Sequence, residues 1–238
     1  LDAPGAMAVL LKDAVHPNLV QTLEGTPAII HGGPFANIAQ GTNSVIATKT
    51  GLAHADYVVT EAGFGADLGA EKFLDLKCVS AGLTPSAVVV VATIRALKAH
   101  GGANVKDSAT PNAGAVDKGL ANLGRHLDSA DAFGLTPVVA LNHFATDSDE
   151  EVAVVQGFCD SRGVRMAVCR GHALGGDGAT DLARAVVEVV DANKAPSFTP
   201  IYAREDAFED KLNAVCTRIY GADGVTLTQD AEKDLKAI

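Results

Sequence analysis

Apolar positions along this chain fall into short β-rich runs that end in glycine and polar loops, each followed by a stretch with helical spacing. Five runs read as strands: Pro27 to His31, Tyr57 to Glu61, Ala87 to Thr93, Pro137 to Phe144 and Arg165 to Cys169. That alternation is the signature of an α/β fold, mainly a parallel sheet flanked by helices.

The helices carry their own period. From Ala179, Leu182, Ala183, Val186, Val187 and Val190 recur at the three-and-four spacing of one helix stripe, which predicts packing on the sheet with Asp177 as N-cap. Ser148 followed by Glu151 forms a capping box for a second helix, with Val152, Val155 and Cys159 on one face. Between His100 and Val116 the composition turns to Gly, Asn, Ser, Thr and Pro with little period. A connection this long is a linker or a functional loop, and it predicts two sub-domains, residues 1–105 and 116–238, joined through 106–115.

Composition narrows the class. Of 238 residues, 47% are apolar and 20% charged, the balance of a soluble globular protein with a proper core. A net charge of -10 argues against nucleic acid or an anionic membrane as partner, since both need clustered Lys and Arg. The longest strongly apolar run, Ala87 to Ile94, is far too short to span a bilayer, and the N-terminus lacks a signal pattern, which predicts a cytoplasmic protein. Cys78, Cys159, Cys169 and Cys216 show no CxxC spacing and read as buried reduced thiols.

In open parallel sheets the ligand crevice lies beyond the carboxyl ends of the strands, so the residues after each strand carry the chemistry. The first is followed by His31-Gly32-Gly33-Pro34-Phe35-Ala36-Asn37, the second by Ala62-Gly63-Phe64-Gly65-Ala66-Asp67-Leu68-Gly69-Ala70-Glu71-Lys72. Glycines admit close backbone approach to a ligand, and His, Asn, Asp and Glu can orient one; alternatively the glycines only make tight turns. The fourth strand is followed by Asn142, His143, Phe144 and Asp147, and the fifth by Arg170, Gly171, His172 and Gly175-Gly176-Asp177-Gly178. Phe144 either stacks on a planar heterocycle or plugs the core at the strand end.

Several motifs are excluded. GxGxxG would need glycine at Leu68, and no Gly-Lys pair for a phosphate-binding P-loop occurs in the 238 residues. His16, His54, His100 and His126 lack metal-binding spacing, and no serine nucleophile elbow is present.

Two stretches say more than general rules do. His31-Gly32-Gly33-Pro34-Phe35-Ala36-Asn37-Ile38-Ala39, and the run from Val58 through Glu61-Ala62-Gly63-Phe64-Gly65-Ala66-Asp67 to Phe73, closely resemble signatures of the formate tetrahydrofolate ligases. Lys12-Asp13-Ala14, Asn18 to Thr22, and Ile219 to Val225 resemble the same family. The resemblance implies a P-loop-NTPase-like parent fold, in which ATP phosphorylates formate and the N10 amine of tetrahydrofolate attacks the formyl phosphate. It further implies Mg2+ with the ATP, a monovalent cation, and a homo-oligomer, usually a homotetramer. Residues 1–105 then belong to the nucleotide and formyl phosphate domain and 116–238 to the folate side. Glu61, Phe64 and Asp67 take catalytic places; His31, Gly32, Gly33, Asn37, Gly63 and Gly65 lie on the formyl phosphate and ATP side; Phe144 and His172 hold the folate ring. No residue is assigned to a metal.

The chain departs from the family's pattern at His172, where a Trp is usual, and at Gln40 and Thr42, where His and Cys are usual. The family's P-loop segment precedes the position of Leu1 and a further portion follows Ile238, which predicts a fragment or truncated relative acting within a longer chain. The alternative is a catalytically inactive folate or nucleotide binding module. A dinucleotide oxidoreductase is disfavoured by Leu68.

Overall fold

The computed structural model describes residues 3–33, 42–63, 65–193 and 195–236, divided between two units, Leu1–Leu83 and Thr84–Ile238. The first unit opens with α1 (Pro4–Leu11), where Pro4 takes a position whose N–H would have no helical partner anyway. Strands β1 (Asn18–Gln21) and β2 (Pro27–Ile30) pair antiparallel, from Asn18 opposite Ile30 to Gln21 opposite Pro27. The Thr22 N–H donates to Thr26 O at 2.9 Å and closes the hairpin. The first expected strand therefore exists, but in a hairpin with β1 and outside the parallel sheet.

The second expected strand does not form. Tyr57 to Glu61 joins no ladder among the described residues, and Val59 is 87% exposed. A β-branched run favours extended backbone, but a strand also needs a neighbour offering its N–H and C=O groups. Helix α2 (Val45–His54) is capped by Ser44, whose Oγ accepts from the Ala47 N–H at 3.0 Å. Two π-helical stretches, Gly65–Ala70 and Phe73–Cys78, run into α3 (Val79–Ala81), which ends at Gly82.

In the second unit β3 (Val88–Ala92), β4 (Pro137–Asn142) and β5 (Arg165–Cys169) form a parallel sheet in that order, with Val90 beside Val139 and Ala140 beside Ala167. Around it lie α4 (Ile94–His100), α5 (Ala113–Ala132), α6 (Asp149–Ser161), the short α7 (Gly171–Leu174) and α8 (Thr180–Ala192). Val90, Val139 and Leu141 face Leu97, Leu123 and Val155 of α4, α5 and α6, while Val138 and Ala167 face Ala185 of α8. Covered on both faces, β4 is apolar at nearly every position rather than at alternate ones. This is an α/β arrangement: a three-stranded parallel sheet flanked by helices.

Local capping chemistry behaves as expected at α6. Ser148 Oγ accepts from the Glu151 N–H and Glu151 Oε2 from the Ser148 N–H, at 3.3 and 2.9 Å. At α8 it does not: the N-cap is Ala179 without a side-chain bond, and Asp177 lies in a 3-10 turn over Gly175–Ala179. The face turned to the sheet is Leu182, Ala185, Val186 and Val189, and Val187 is 37% exposed. The sheet selects the narrow row at i, i+3, i+4 and i+7 from an apolar surface wider than the contact.

One polar pair is sealed inside this unit. Lys98 Nζ and Glu151 Oε1 lie 2.9 Å apart, with side chains 2% and 0% exposed. Lys98 also donates to Thr110 O at 3.1 Å, and Glu151 Oε1 accepts from the Asn112 N–H at 2.8 Å. Burial pushes the Glu151 carboxyl up, but the Ser148 and Asn112 N–H groups, with Lys98 and the Ser148 hydroxyl, outweigh it and bring it from 4.5 to about 2. Its stabilisation is complete above pH 4.5 and is lost as pH falls towards 2. Glu151→Gln and Lys98→Met should each cost about 3–5 kcal/mol at pH 7, because the surviving partner is left buried without its counterpart. Urea titrations across the acid range should also show a flatter pH dependence for Glu151→Gln than for the parent protein.

Candidate functional site

The loops beyond β4 and β5 build a cavity in the second unit. β4 ends at Asn142, two residues before the expected end, because the chain turns away at Phe144. The His143 N–H still reaches Cys169 O at 2.9 Å, after which Asp147 Oδ2 accepts from the Phe144 N–H at 2.9 Å and closes a tight turn. Phe144 is thereby tipped out to 38% exposure rather than plugging the core. Beyond β5, Arg170 leads into α7, which carries His172.

The Phe144 and His172 rings face each other across 6.1 Å between centroids, inclined at 46°. They line a cavity of about 380 Å³ together with Arg95, Ser108, His143 and Asp147, within the size range of small-molecule sites. The two residues expected to hold a flat ring are thus brought together. The α7 wall is fixed by backbone: the Arg170 N–H donates to Gly178 O at 2.8 Å, and a Cβ on Gly178 would lie 2.5 Å from Arg170 O. Only glycine permits that approach.

In the first unit, His31 is half-buried and both its ring nitrogens are engaged, Nδ1 with Ser44 Oγ at 2.7 Å and Nε2 with Ala14 O at 2.8 Å. Its N–H donates to Asn43 Oδ1 at 3.1 Å, and Asn43 Nδ2 donates to Ile29 O at 2.6 Å. Gly32 and Gly33 follow, both exposed. Asn37, Gln40 and Phe64 lie outside the described residues. Glu61 is exposed on the extended segment, Gly63 and Gly65 have positive φ (80 and 60°), and Asp67 is half-buried on the first π-helical stretch. Gly69, the glycine displaced from dinucleotide spacing, has a packing role: a Cβ there would lie 2.4 Å from Ala62 O.

Three cations escaped the sequence reading. Lys77, 2% exposed on the second π-helical stretch, donates to Thr42 Oγ1 at 2.6 Å and to Asn43 O, joining the residues after the first signature to the helix that continues the second. Burial lowers its pKa, while neighbouring Cys78, itself pushed up to about 12 by burial, acts in the opposite sense. Thr42 supplies the hydroxyl that Lys77 uses. Lys98 and Arg95 are the others. Lys98 could have been suspected from its place in the stripe of Ile94 and Leu97. Arg95 follows β3 without any glycine to draw attention to it. Among the described residues no three His, Cys, Asp or Glu side chains are grouped to hold a metal ion, and no helix is long and apolar enough to cross a membrane.

The sequence profile of the formate–tetrahydrofolate ligase family matches residues 1–238. The chain belongs to the formate–tetrahydrofolate ligase family. Relatives of that name from Ruegeria pomeroyi and Bacillus licheniformis are 55% and 53% identical over 99% of this chain and 42% of their own length. One from Methylobacterium radiotolerans is 58% identical over 96% of the chain and 41% of its length. The chain thus spans about two fifths of the length of these formate–tetrahydrofolate ligases.

Gly178→Ala should lower stability by about 1–3 kcal/mol and displace His172, read from its imidazole NMR signals. Gly157→Ala, which meets nothing within 4 Å on α6, should leave those signals in place and stabilise by up to about 1 kcal/mol.

Proposed function

We propose that this chain carries the folate pocket and the formyl phosphate loops of a formate–tetrahydrofolate ligase, which joins formate to tetrahydrofolate with ATP within a longer polypeptide. The observation that carries this reading is the Phe144 and His172 pair, 6.1 Å apart on a cavity beyond the sheet's carboxyl edge. Family membership supports it. Rotation of the two rings towards parallel, with a small separation from their 6.1 Å spacing, would let them contact the faces of a flat heterocycle, which gains stacking energy beyond burial.

In this reading a formate oxygen attacks the γ-phosphorus of ATP and ADP leaves. The N10 lone pair of tetrahydrofolate then attacks the formyl carbon, phosphate departs, and the amine gives up its proton, leaving 10-formyltetrahydrofolate. Such chemistry rests on positioning and charge stabilisation rather than on a covalent enzyme intermediate. Glu61, Phe64 and Asp67 take the catalytic places, with His31, Gly32, Gly33, Asn37, Gly63 and Gly65 on the formyl phosphate and ATP side. His31, engaged at both ring nitrogens, would serve by holding the start of its loop.

Mg2+ would accompany the ATP and a monovalent cation would complete the set, although the described residues hold no cluster of three His, Cys, Asp or Glu ligands for either. The P-loop-NTPase-like parent fold, the division at residues 106–115 and a homotetramer belong to the same proposal. A binding module without phosphoryl transfer is the second reading, which the ring pair and its cavity fit equally.

Two measurements test the proposal. Calorimetry should register tetrahydrofolate binding by the chain, weakened about tenfold or more in Phe144→Ala; equal affinities would remove Phe144 from the site. Joined to the family's remaining segments, the chain should form 10-formyltetrahydrofolate from formate, ATP and tetrahydrofolate. Binding without that product would leave the binding-module reading.

A further inference from the structure

We propose that Arg95 is the specificity-determining cation of the pocket and takes a carboxylate from the glutamyl tail of tetrahydrofolate. The assignment rests on the folate reading of the same cavity. Its basis is a guanidinium that lines the cavity, is held by a neutral hydroxyl and forms no ion pair among the described residues. Arg125, Arg162, Arg165 and Arg184 each pair with an Asp or Glu, whereas Arg170, Arg204 and Arg218, like Arg95, make no such pair among the described residues but are not on the cavity lining. Arg95 instead donates from Nε to Ser108 Oγ at 3.2 Å, and among the described residues it forms no ion pair with a carboxylate. In a chain with 29 acidic and 19 basic residues, Arg95 therefore stands exposed on the cavity wall with its charge not met by a carboxylate of the described residues.

The Ser108 bond also leaves the guanidinium's terminal nitrogens as a planar fork of donors. That fork matches a carboxylate through two parallel hydrogen bonds, which a lysine ammonium cannot reproduce. Ser108 is itself steadied, because Lys98 holds Thr110 O two residues further on. The other charged groups on the lining are accounted for. Asp147 uses Oδ2 to accept from the Phe144 N–H, while His143 and His172 stand on the same loops as the ring wall. Tetrahydrofolate has the complementary division, with flat rings at one end and two carboxylates at the other. The ring pair would receive the first and Arg95 the second.

The test compares tetrahydrofolate with the primary amide of tetrahydropteroate, which has the same rings but neither glutamate nor any carboxylate. Both are titrated calorimetrically into the parent chain, Arg95→Ala and Arg95→Lys, with circular dichroism confirming the fold of each variant. The parent chain should bind tetrahydrofolate about tenfold or more tighter than the tetrahydropteroate amide. Arg95→Ala should remove that preference by weakening tetrahydrofolate alone, and Arg95→Lys should restore only part of it. Equal weakening of both ligands would make Arg95 a shaping residue and overturn the proposal. No change in either would send the carboxylate elsewhere and leave Arg95 to a phosphoryl group or to solvent, overturning it equally. If the parent chain binds neither ligand, the folate reading falls and this assignment with it; if it binds both equally, only the Arg95 assignment falls.

Discussion

A lysine and a glutamate held 2.9 Å apart out of water set the geometry of the pocket. Taking either ion out of water alone costs several kcal/mol, so the pair is tolerable only when its remaining hydrogen-bonding capacity is met. Here it is met by Thr110 O, the Asn112 N–H and both polar groups of Ser148. Those partners fix α4, the connection into α5 and the entry to α6 relative to one another. Arg95 lies three residues before Lys98, Ser108 two before Thr110, and Asp147 one before Ser148. Three elements of the cavity wall are therefore hung close to the ends of one buried network.

The parts of this fold legible in the sequence are those decided locally. β3, β4 and β5 follow from apolar runs bounded by turn residues, and the α6 cap from two side chains three positions apart. Tyr57 to Glu61 has the same local character and still forms no strand, since pairing depends on a neighbour that no window of sequence contains. The α8 stripe was misplaced for a related reason: its apolar surface is wider than the sheet can cover, and packing chose among its rows. At the candidate site, the strand-end rule and the family resemblance point to Phe144 and His172, whose rings lie 6.1 Å apart. Arg95 was missed because its wall is completed by Ser108, thirteen positions away across a segment without period.

The first unit uses its family signature differently from a direct reading of its residues. The Ala14 carbonyl can only accept, so the His31 Nε2 carries a proton; Ser44 Oγ, already accepting from the Ala47 N–H, has its own proton to offer Nδ1. One chain of hydrogen bonds thus runs from the segment after α1 through the imidazole to the first turn of α2. Lys77 binds Thr42 and Asn43 on the far side of the signature. A titratable ring in a glycine-rich motif invites a catalytic interpretation, yet its hydrogen-bonding capacity is already spent on anchoring backbone.

The Arg170 and Gly178 contact separates the position of the pocket wall from its chemistry. α7 is held by a main-chain hydrogen bond and by the space a missing Cβ leaves, neither of which involves the side chain at 172. Exposed and opposite Phe144, that side chain can exchange an indole for an imidazole while its backbone anchor stays in place. What this surface position presents is thereby uncoupled from the scaffold that aims it.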